Sequence, residues 1–361
     1  MMGKFKNVDG LWSYLKSGRP YVIAEAGVNH LGSIELGERL ISKAKYAGAD
    51  AIKFQSYKAK TLCTKNAPRF WDWEGEEKQD GSQFDSYSSL DSFGHDEHKE
   101  LRDICDAYDI DFMSTPFDFE AVEYLHELGM LAYKVASCDI NNFPLLERIA
   151  QKNKIVMLST GASIMEEIQR AVAVLEQYTS KIVIMHCNLV YPTKDQDANL
   201  RMINHIKEEF GKRYVIGLSD HTMTLNSPSI AYALGANVVE RHFTVDKTLE
   251  KSADHWLSAD PEELKEIIRQ INNVDILMGK YDKKICTDPE LRARANARRS
   301  IVAFRDIQAG EVLTLENISC KRPGYGLSPT LFGLTLGHKT TRDIKEDELL
   351  KISDIQGGLL L

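Results

Sequence analysis

Two lysines and two histidines lie at or near the ends of short apolar runs: Lys53 in Ala51–Gln55, Lys134 in Ala132–Ala136, His221 just past Val215–Ser219, and His242 closing Val238–His242. Glu25, Gln55, Thr115, Ser137, Ser159 and Ser219 occupy similar positions after related runs. Two ammonium groups beside four hydroxyls suit a small, multiply charged anion such as a phosphorylated carboxylic acid. Two imidazoles from neighbouring strands, roughly 4.8 Å apart, can reach one ion. With oxygen ligands from water and substrate they suit Mn²⁺ or another octahedral divalent ion, and the lack of thiolates argues against a structural Zn²⁺ site. Such an ion would polarise a carbonyl. A lone histidine or lysine in this setting is usually structural. The whole set resists that reading, because it would leave two buried lysines without partners.

Something must bring these residues together. Eight strand-length apolar segments recur: Tyr21–Ala26, Ala51–Gln55, Asp111–Ser114, Ala132–Ala136, Ile155–Ser159, Ile182–His186, Val215–Ser219 and Val238–His242. Amphipathic stretches of helical period separate or follow them, among them Ile34–Ala47, Phe119–Leu128, Pro144–Gln151, Met165–Gln177, Leu200–Phe210, Ser227–Leu234 and Pro261–Met278. Asp260-Pro261-Glu262-Glu263 supplies an N-cap, an N1 proline and first-turn acids, and Gly48, Gly129 and Gly235 sit where left-handed helix terminators belong. Eight strand–helix units predict an α/β fold of the (β/α)8 TIM-barrel type, whose strands are buried on both faces and whose active site lies at their carboxyl ends. Every strand then delivers polar groups to that mouth, including Asn29-His30, Ser114, Asp139, His186, Tyr191, Asp220 and Glu240-Arg241. A doubly wound open sheet is the alternative, but no glycine-rich phosphate fingerprint follows any strand.

The chain has 361 residues, 43% apolar and 27% charged, with a net charge of −8. An acidic chain with a pI near 5.8 is not a general binder of nucleic acid or anionic membranes. No apolar run approaches a membrane span, and the N-terminus has no apolar signal core. Six cysteines without a CxxC pair point to reduced thiols in a cytoplasmic protein. The expected organisation is a barrel over residues 1–280, a linker at 281–297 and a small β-rich domain at 298–361. The barrel carries a long inserted loop, residues 56–98, containing Phe70-Trp-Asp-Trp73, with a lid or interface role.

Ala24-Glu-Ala-Gly-Val-Asn-His30, Ile52-Lys-Phe-Gln55, Ser114-Thr-Pro-Phe117, Tyr133-Lys-Val-Ala-Ser137, Leu158-Ser-Thr-Gly161, Gly217-Leu-Ser-Asp-His-Thr222 and Glu240-Arg-His-Phe-Thr244 closely resemble the motifs of the sialic acid synthase family. Ala297-Arg-Arg-Ser300 and Lys321-Arg-Pro-Gly324 resemble its C-terminal antifreeze-like (SAF, β-clip) domain. The resemblance implies a transferase that condenses phosphoenolpyruvate with an N-acetylated aldose, N-acetylmannosamine first, to a nine-carbon 2-keto acid and phosphate. Legionaminic or pseudaminic acid synthesis from a 2,4-diacetamido-2,4,6-trideoxyhexose is the alternative within the family. It further implies that Lys53, Thr115, Lys134, Ser137, Ser159 and Ser219 hold phosphoenolpyruvate. Glu25, Lys53, Lys134 and Asp139 would be catalytic, and Gln55, Tyr191, Asp254 and Arg322 would contact the sugar. His221 and His242 would bind the metal, Mn²⁺ first and Mg²⁺ or Co²⁺ otherwise, with no nucleotide or organic cofactor. Family members are domain-swapped homodimers, so Arg322 would serve the other subunit's barrel, with no nucleic-acid or membrane partner.

The sequence departs from the family pattern at Ser137-Cys138-Asp139, at His186-Cys-Asn188 with Leu189, and at Lys251-Ser-Ala-Asp254-His255. One phosphate contact is therefore lost or moved to Asn188. A Schiff-base aldolase using Lys134 is a more distant reading. An ice-binding protein is another, but it lacks the flat threonine-rich repeat it would need.

Overall fold

Strands β1 (Tyr21–Gly27), β2 (Ala51–Ser56), β3 (Asp111–Pro116), β4 (Ala132–Val135), β5 (Ile155–Ser159), β6 (Ile182–Cys187), β7 (Val215–Asp220) and β8 (Val238–His242) form one parallel sheet in the order β3-β2-β1-β8-β7-β6-β5-β4. They belong to a computed structural model that describes residues 3–71, 81–250, 252 and 254–359. β3 and β4 lie side by side and close the ring without a hydrogen-bonded ladder. At that seam the Ser114 N–H donates to the Met130 thioether, 3.2 Å away.

Alternation along each strand sorts the side chains into two layers. Val22, Ala24, Ile52, Phe54, Val156, Leu158, Ile184, Leu218 and Val239 pack outward against the helices. Ile23, Met113, Met157, Met185, Val215 and Val238 point inward and fill the amino-terminal half of the barrel. A helix the sequence reading did not assign, α1 (Val8–Lys16), closes that end with Leu11 and Leu15. Val8, Leu11, Trp12 and Leu15 have the spacing of one helical face, and Asn7 caps them by accepting from Gly10 N.

α2 (Ile34–Ala47) ends at Gly48, where φ of 96° needs a residue without a Cβ. The expected β2–β3 loop is partly helical, with α3 (Ala59–Leu62), α4 (Gln83–Ser88) and α5 (His95–Ala107), the last being the crossover helix. Trp73, Lys251 and Ala253 lie outside the described residues; Trp71 lies within them. The long helix Pro261–Met278 starts at the Asp260 capping box, with Glu263 closing it. Among the described residues no helix is long and apolar enough to cross a membrane. All six cysteines are unpaired.

The chain divides into two compact units, Met1–Gly279 and Lys280–Leu361. In the second, β9 (Ser300–Ala303) pairs antiparallel with β10 (Ile318–Lys321) over a small core of Ile301, Ile307, Leu313, Ile318, Ile344 and Leu350. The stretch 281–297, read as a linker, contains a helix, Asp288–Ala297, and groups with this unit. Ala295 O accepts from Gly324 N at 2.8 Å.

Candidate active site

At the carboxyl end of the barrel the inward positions change from apolar to polar. β1 presents Ile23 and then Glu25; β2 presents Ala51, then Lys53 and Gln55; β8 presents Val238, then Glu240 and His242. Register sets these side by side, with Glu25 opposite both Lys53 and His242, and Ser219 opposite Glu240. The resulting cavity of about 1010 Å³ is lined by Glu25, Lys53, Gln55, Thr115, Lys134, Ser137, Asp139, Ser159, Tyr191, Ser219, His221, His242 and Asp254. Every barrel residue named from the sequence as a site residue is therefore in one place. Arg322 is exposed in the second unit, directly after β10.

The floor of the cavity is an ion-pair network. Lys53 Nζ lies 2.5 Å from Glu25 Oε2 and 3.7 Å from Glu240 Oε2, and it donates to Thr115 Oγ1 at 3.0 Å. Lys134 Nζ lies 3.5 Å from Glu240 Oε1, which also accepts from Ser219 Oγ at 3.0 Å. Gln55 Nε2 donates to Glu25 Oε1 at 3.1 Å. Burial pushes the Glu25 carboxyl up to about 7 against the pull of Lys53. Burial would raise Glu240 too, but Lys134 and Lys53 outweigh it and hold that carboxyl below its ordinary value. Burial opposes the charge on Lys53, yet Glu240 and Glu25 raise its pKa.

Glu240, which the sequence places at the mouth without a role, is the partner of both lysines. The expectation of two lysines without partners is corrected: each faces a carboxylate, so the side chains of the floor nearly balance in charge. The expectation that every polar strand-end residue faces the mouth is also corrected. Ser114, His186, Asp220 and Arg241 alternate with the inward residues and so point outward. Arg241 pairs with Asp220 at 2.7 Å, His186 Nε2 bonds Ala198 O at 2.9 Å, and Ser114 Oγ bonds Ser56 Oγ at 2.7 Å. His30 stacks on Phe93, with ring centroids 4.0 Å apart.

Several hydroxyls remain available to a ligand. Ser159 Oγ is buried without a hydrogen-bond partner. Ser137 Oγ accepts from Gly161 N at 2.8 Å, which leaves its proton free to donate. Asp139 lines the cavity but accepts from Asn142 Nδ2 at 3.1 Å, and burial raises its pKa. Asn188 does not line the cavity: its side chain donates to Asp197 O at 3.1 Å. Its backbone carbonyl instead bonds His221 Nδ1 at 2.6 Å.

The two histidine rings lie 5.3 Å apart, centre to centre. Tyr191 covers them, 4.0 Å from the His221 ring and edge-on to His242 at 5.7 Å. His242 Nδ1 is buried without a hydrogen-bond partner, and Asp254 Oδ2 lies 3.6 Å from it. Burial raises the Asp254 carboxyl to about 6, and burial with the nearby cations holds His242 neutral. A neutral imidazole with an orphaned nitrogen is a competent metal donor. The residues thus fit a divalent ion bound through His221 and His242, with the remaining ligands supplied from outside. Among the described residues no group of three or more His, Cys, Asp or Glu is arranged to hold a metal by itself.

Comparison with known proteins agrees with this fold. The NeuB family model matches residues 40–283 and the SAF domain model matches residues 298–356. An uncharacterized protein of Methanocaldococcus jannaschii is 40% identical over 346 residues, 95% of this chain and 97% of that one. The N,N'-diacetyllegionaminic acid synthase of Campylobacter jejuni is 38% identical, over 91% of this chain and 98% of its own. The crystal structure of the N-acetylneuraminic acid synthetase of Leptospira borgpetersenii, with citrate, superposes with a TM-score of 0.67 at 35% identity, covering 76% of this chain and 90% of that one. Pseudaminic acid synthases and N-acetylneuraminate-9-phosphate synthases are also among the relatives. The chain is a TIM-barrel enzyme of the NeuB family with a C-terminal SAF domain.

Proposed function

We propose that the protein condenses phosphoenolpyruvate with the open-chain aldehyde of an N-acylated aldose, releasing phosphate and forming a nine-carbon 2-keto sugar acid. N-acetylmannosamine is the simplest acceptor, and a 2,4-diacetamido-2,4,6-trideoxyhexose is the other. One observation carries the reading: Lys53, Lys134, the unpartnered Ser159 hydroxyl and the orphaned His242 nitrogen line a single buried cavity. The lysines, with Thr115, Ser137, Ser159 and Ser219, hold the carboxylate and phosphate and stabilise the departing phosphate. C3 of the enol ether attacks the aldehyde carbon, water adds at C2, and the C2–O bond breaks as phosphate leaves. Glu25, raised to about 7, holds or moves the proton of that water. Gln55, Tyr191 and Asp254 orient the sugar.

A divalent ion at His221 and His242, Mn²⁺ in this reading, would supply Lewis-acid polarisation of the aldehyde oxygen. Asp139 accepts from Asn142 through Oδ1 alone, which leaves its other oxygen to carry a proton in the same step. We further place Arg322 in the partner's cavity of a domain-swapped homodimer, working in the cytoplasm where unpaired thiols stay reduced. The test is phosphate release from phosphoenolpyruvate with Mn²⁺ and each sugar. No release with any acceptor sinks the proposal. Borohydride trapping of pyruvate on Lys134, with full activity in EDTA, would favour the Schiff-base reading instead.

A further inference from the structure

The two candidate metal ligands are held differently. His242 is the last residue of β8 and lies in the ladder opposite Glu25 of β1. His221 follows the last residue of β7, beyond the ladder with β8, which ends at Asp220 opposite Arg241. On the β6 side His221 is tied twice: Thr193 N donates to His221 O at 2.8 Å, and His221 Nδ1 bonds Asn188 O at 2.6 Å. A carbonyl can only accept, so Nδ1 carries the hydrogen and Nε2 keeps its lone pair. Neither bond fixes His221 relative to β8 and its histidine.

That tie runs along the outward face. Asp220 and Arg241 directly precede the two histidines, and each is only 2% exposed, with Arg241 Nη1 donating to Asp220 Oδ2 at 2.7 Å. Asp220 Oδ1 accepts from Thr222 N at 3.0 Å, an Asx-turn with His221 at its crown. Asp220 Oδ2 also accepts from Thr222 Oγ1 at 3.2 Å and from Ser227 Oγ, at the start of the helix Ser227–Ala233, at 2.7 Å. Arg241 Nη1 reaches Thr222 Oγ1 as well, at 3.1 Å. The carboxylate thus folds the chain around one histidine, and the guanidinium ties that carboxylate to the residue before the other.

Stability is a weak reason for such a pair, because the desolvation of two buried charges offsets much of their attraction; fixing a register is the better-attested use. Neither residue lines the cavity, so neither meets a ligand inside it. Their influence passes through the backbone to two rings 5.3 Å apart. Residues behind the ligands of a metal site commonly set ligand orientation and affinity in this way.

We infer that Asp220 and Arg241 are a positioning pair for the metal site: they hold the imidazoles of His221 and His242 at their observed spacing, so that both serve one divalent ion. This rests on the metal-dependent reading and names the residues that set the geometry of its site. The probe is Mn²⁺ alone, titrated by calorimetry into the full-length wild type, Asp220→Asn, the double variant Asp220→Asn/Arg241→Gln, and His242→Ala. Asp220→Asn keeps the shape of the side chain and removes its charge. The double variant leaves no unpaired buried charge and so guards against loss of the fold. Both should bind Mn²⁺ about tenfold more weakly than wild type, the lower end of what residues behind metal ligands contribute, while phosphoenolpyruvate affinity in EDTA stays within about twofold. Excess Mn²⁺ should restore most of kcat, because the loss lies in metal affinity.

A merely structural role would lower phosphoenolpyruvate binding and kcat together at every Mn²⁺ concentration, and that result overturns the pair. Wild-type Mn²⁺ affinity in either variant also overturns it. A wild type that binds no Mn²⁺, or binds it equally well after His242→Ala, overturns the metal assignment and the pair with it. Mn²⁺ binding that weakens in both variants, with no phosphate released from phosphoenolpyruvate and any sugar, upholds the pair and sinks the condensation reading.

Discussion

Lys53 and Glu25 face each other across neighbouring strands, Nζ 2.5 Å from Oε2, each only 2% exposed. With Lys134 and Glu240 completing the set, the floor carries two positive and two negative groups. A trianion entering this floor therefore needs added positive charge, from a proton or a metal ion.

Glu25 can take up that proton. Its carboxyl sits at about 7, so below that pH it is mostly neutral and above it mostly charged. Phosphoenolpyruvate affinity should fall as pH rises through about 7, approaching tenfold per unit above it. Glu25→Gln, permanently uncharged, should show a flatter profile; comparing it with wild type by calorimetry cancels the ligand's own titration. Identical profiles would remove Glu25 from the charge balance.

His242→Ala should abolish Mn²⁺-dependent phosphate release, by ~100-fold or more, without changing the circular dichroism spectrum, because Lewis-acid activation of the aldehyde contributes several kcal/mol. Calorimetric Mn²⁺ binding should be lost in parallel. Retention of both would remove the metal assignment.

At the opposite end of the barrel, Asp111 accepts from Phe5 N at 3.0 Å and Tyr21 Oη at 2.8 Å, and burial raises it to about 6. The folded pKa exceeds the unfolded value near 3.9, so the folded chain retains a proton that the unfolded chain has lost. The resulting stabilisation is present at low pH and is lost as pH rises from about 4 to about 6, with a ceiling of about 3 kcal/mol. The Tm difference between wild type and Asp111→Asn should shift against the wild type over that window and stay constant above it. A difference that does not change with pH would contradict this.

Arg322 can be tested by complementation. In a swapped dimer, Lys134→Met and Arg322→Ala chains co-expressed with different tags assemble one complete site per heterodimer. Purified heterodimers should recover about half the wild-type activity, since one of the two sites is intact. No recovery would place Arg322 in its own chain's site, and full activity of the Arg322→Ala homodimer would place it in none.

The barrel was legible because strand-length segments such as Ile155–Ser159, apolar up to its last residue, recur eight times with helical stretches between them; the observed bounds of Ile155–Ser159 and Val238–His242 coincide with those expected. Most site residues were legible because strand ends carry them. What escaped were consequences of pairing and phase. Glu240 looks like its neighbours Arg241 and His242 until alternation places it inward between two lysines and Arg241 outward on Asp220. α1 was missed although Leu11 and Leu15 share a helical face, because its purpose, closing the barrel floor, shows only in three dimensions.

Bond cleavage is the most direct test of the central claim. Phosphoenolpyruvate labelled with oxygen-18 at the bridging position, incubated with Mn²⁺ and the accepted sugar, should yield phosphate carrying the label and a nine-carbon 2-keto acid without it, read by mass spectrometry. Label retained in the keto acid, or a keto acid formed without phosphate release, would contradict C–O cleavage and the function proposed for Lys53, Lys134 and Glu25.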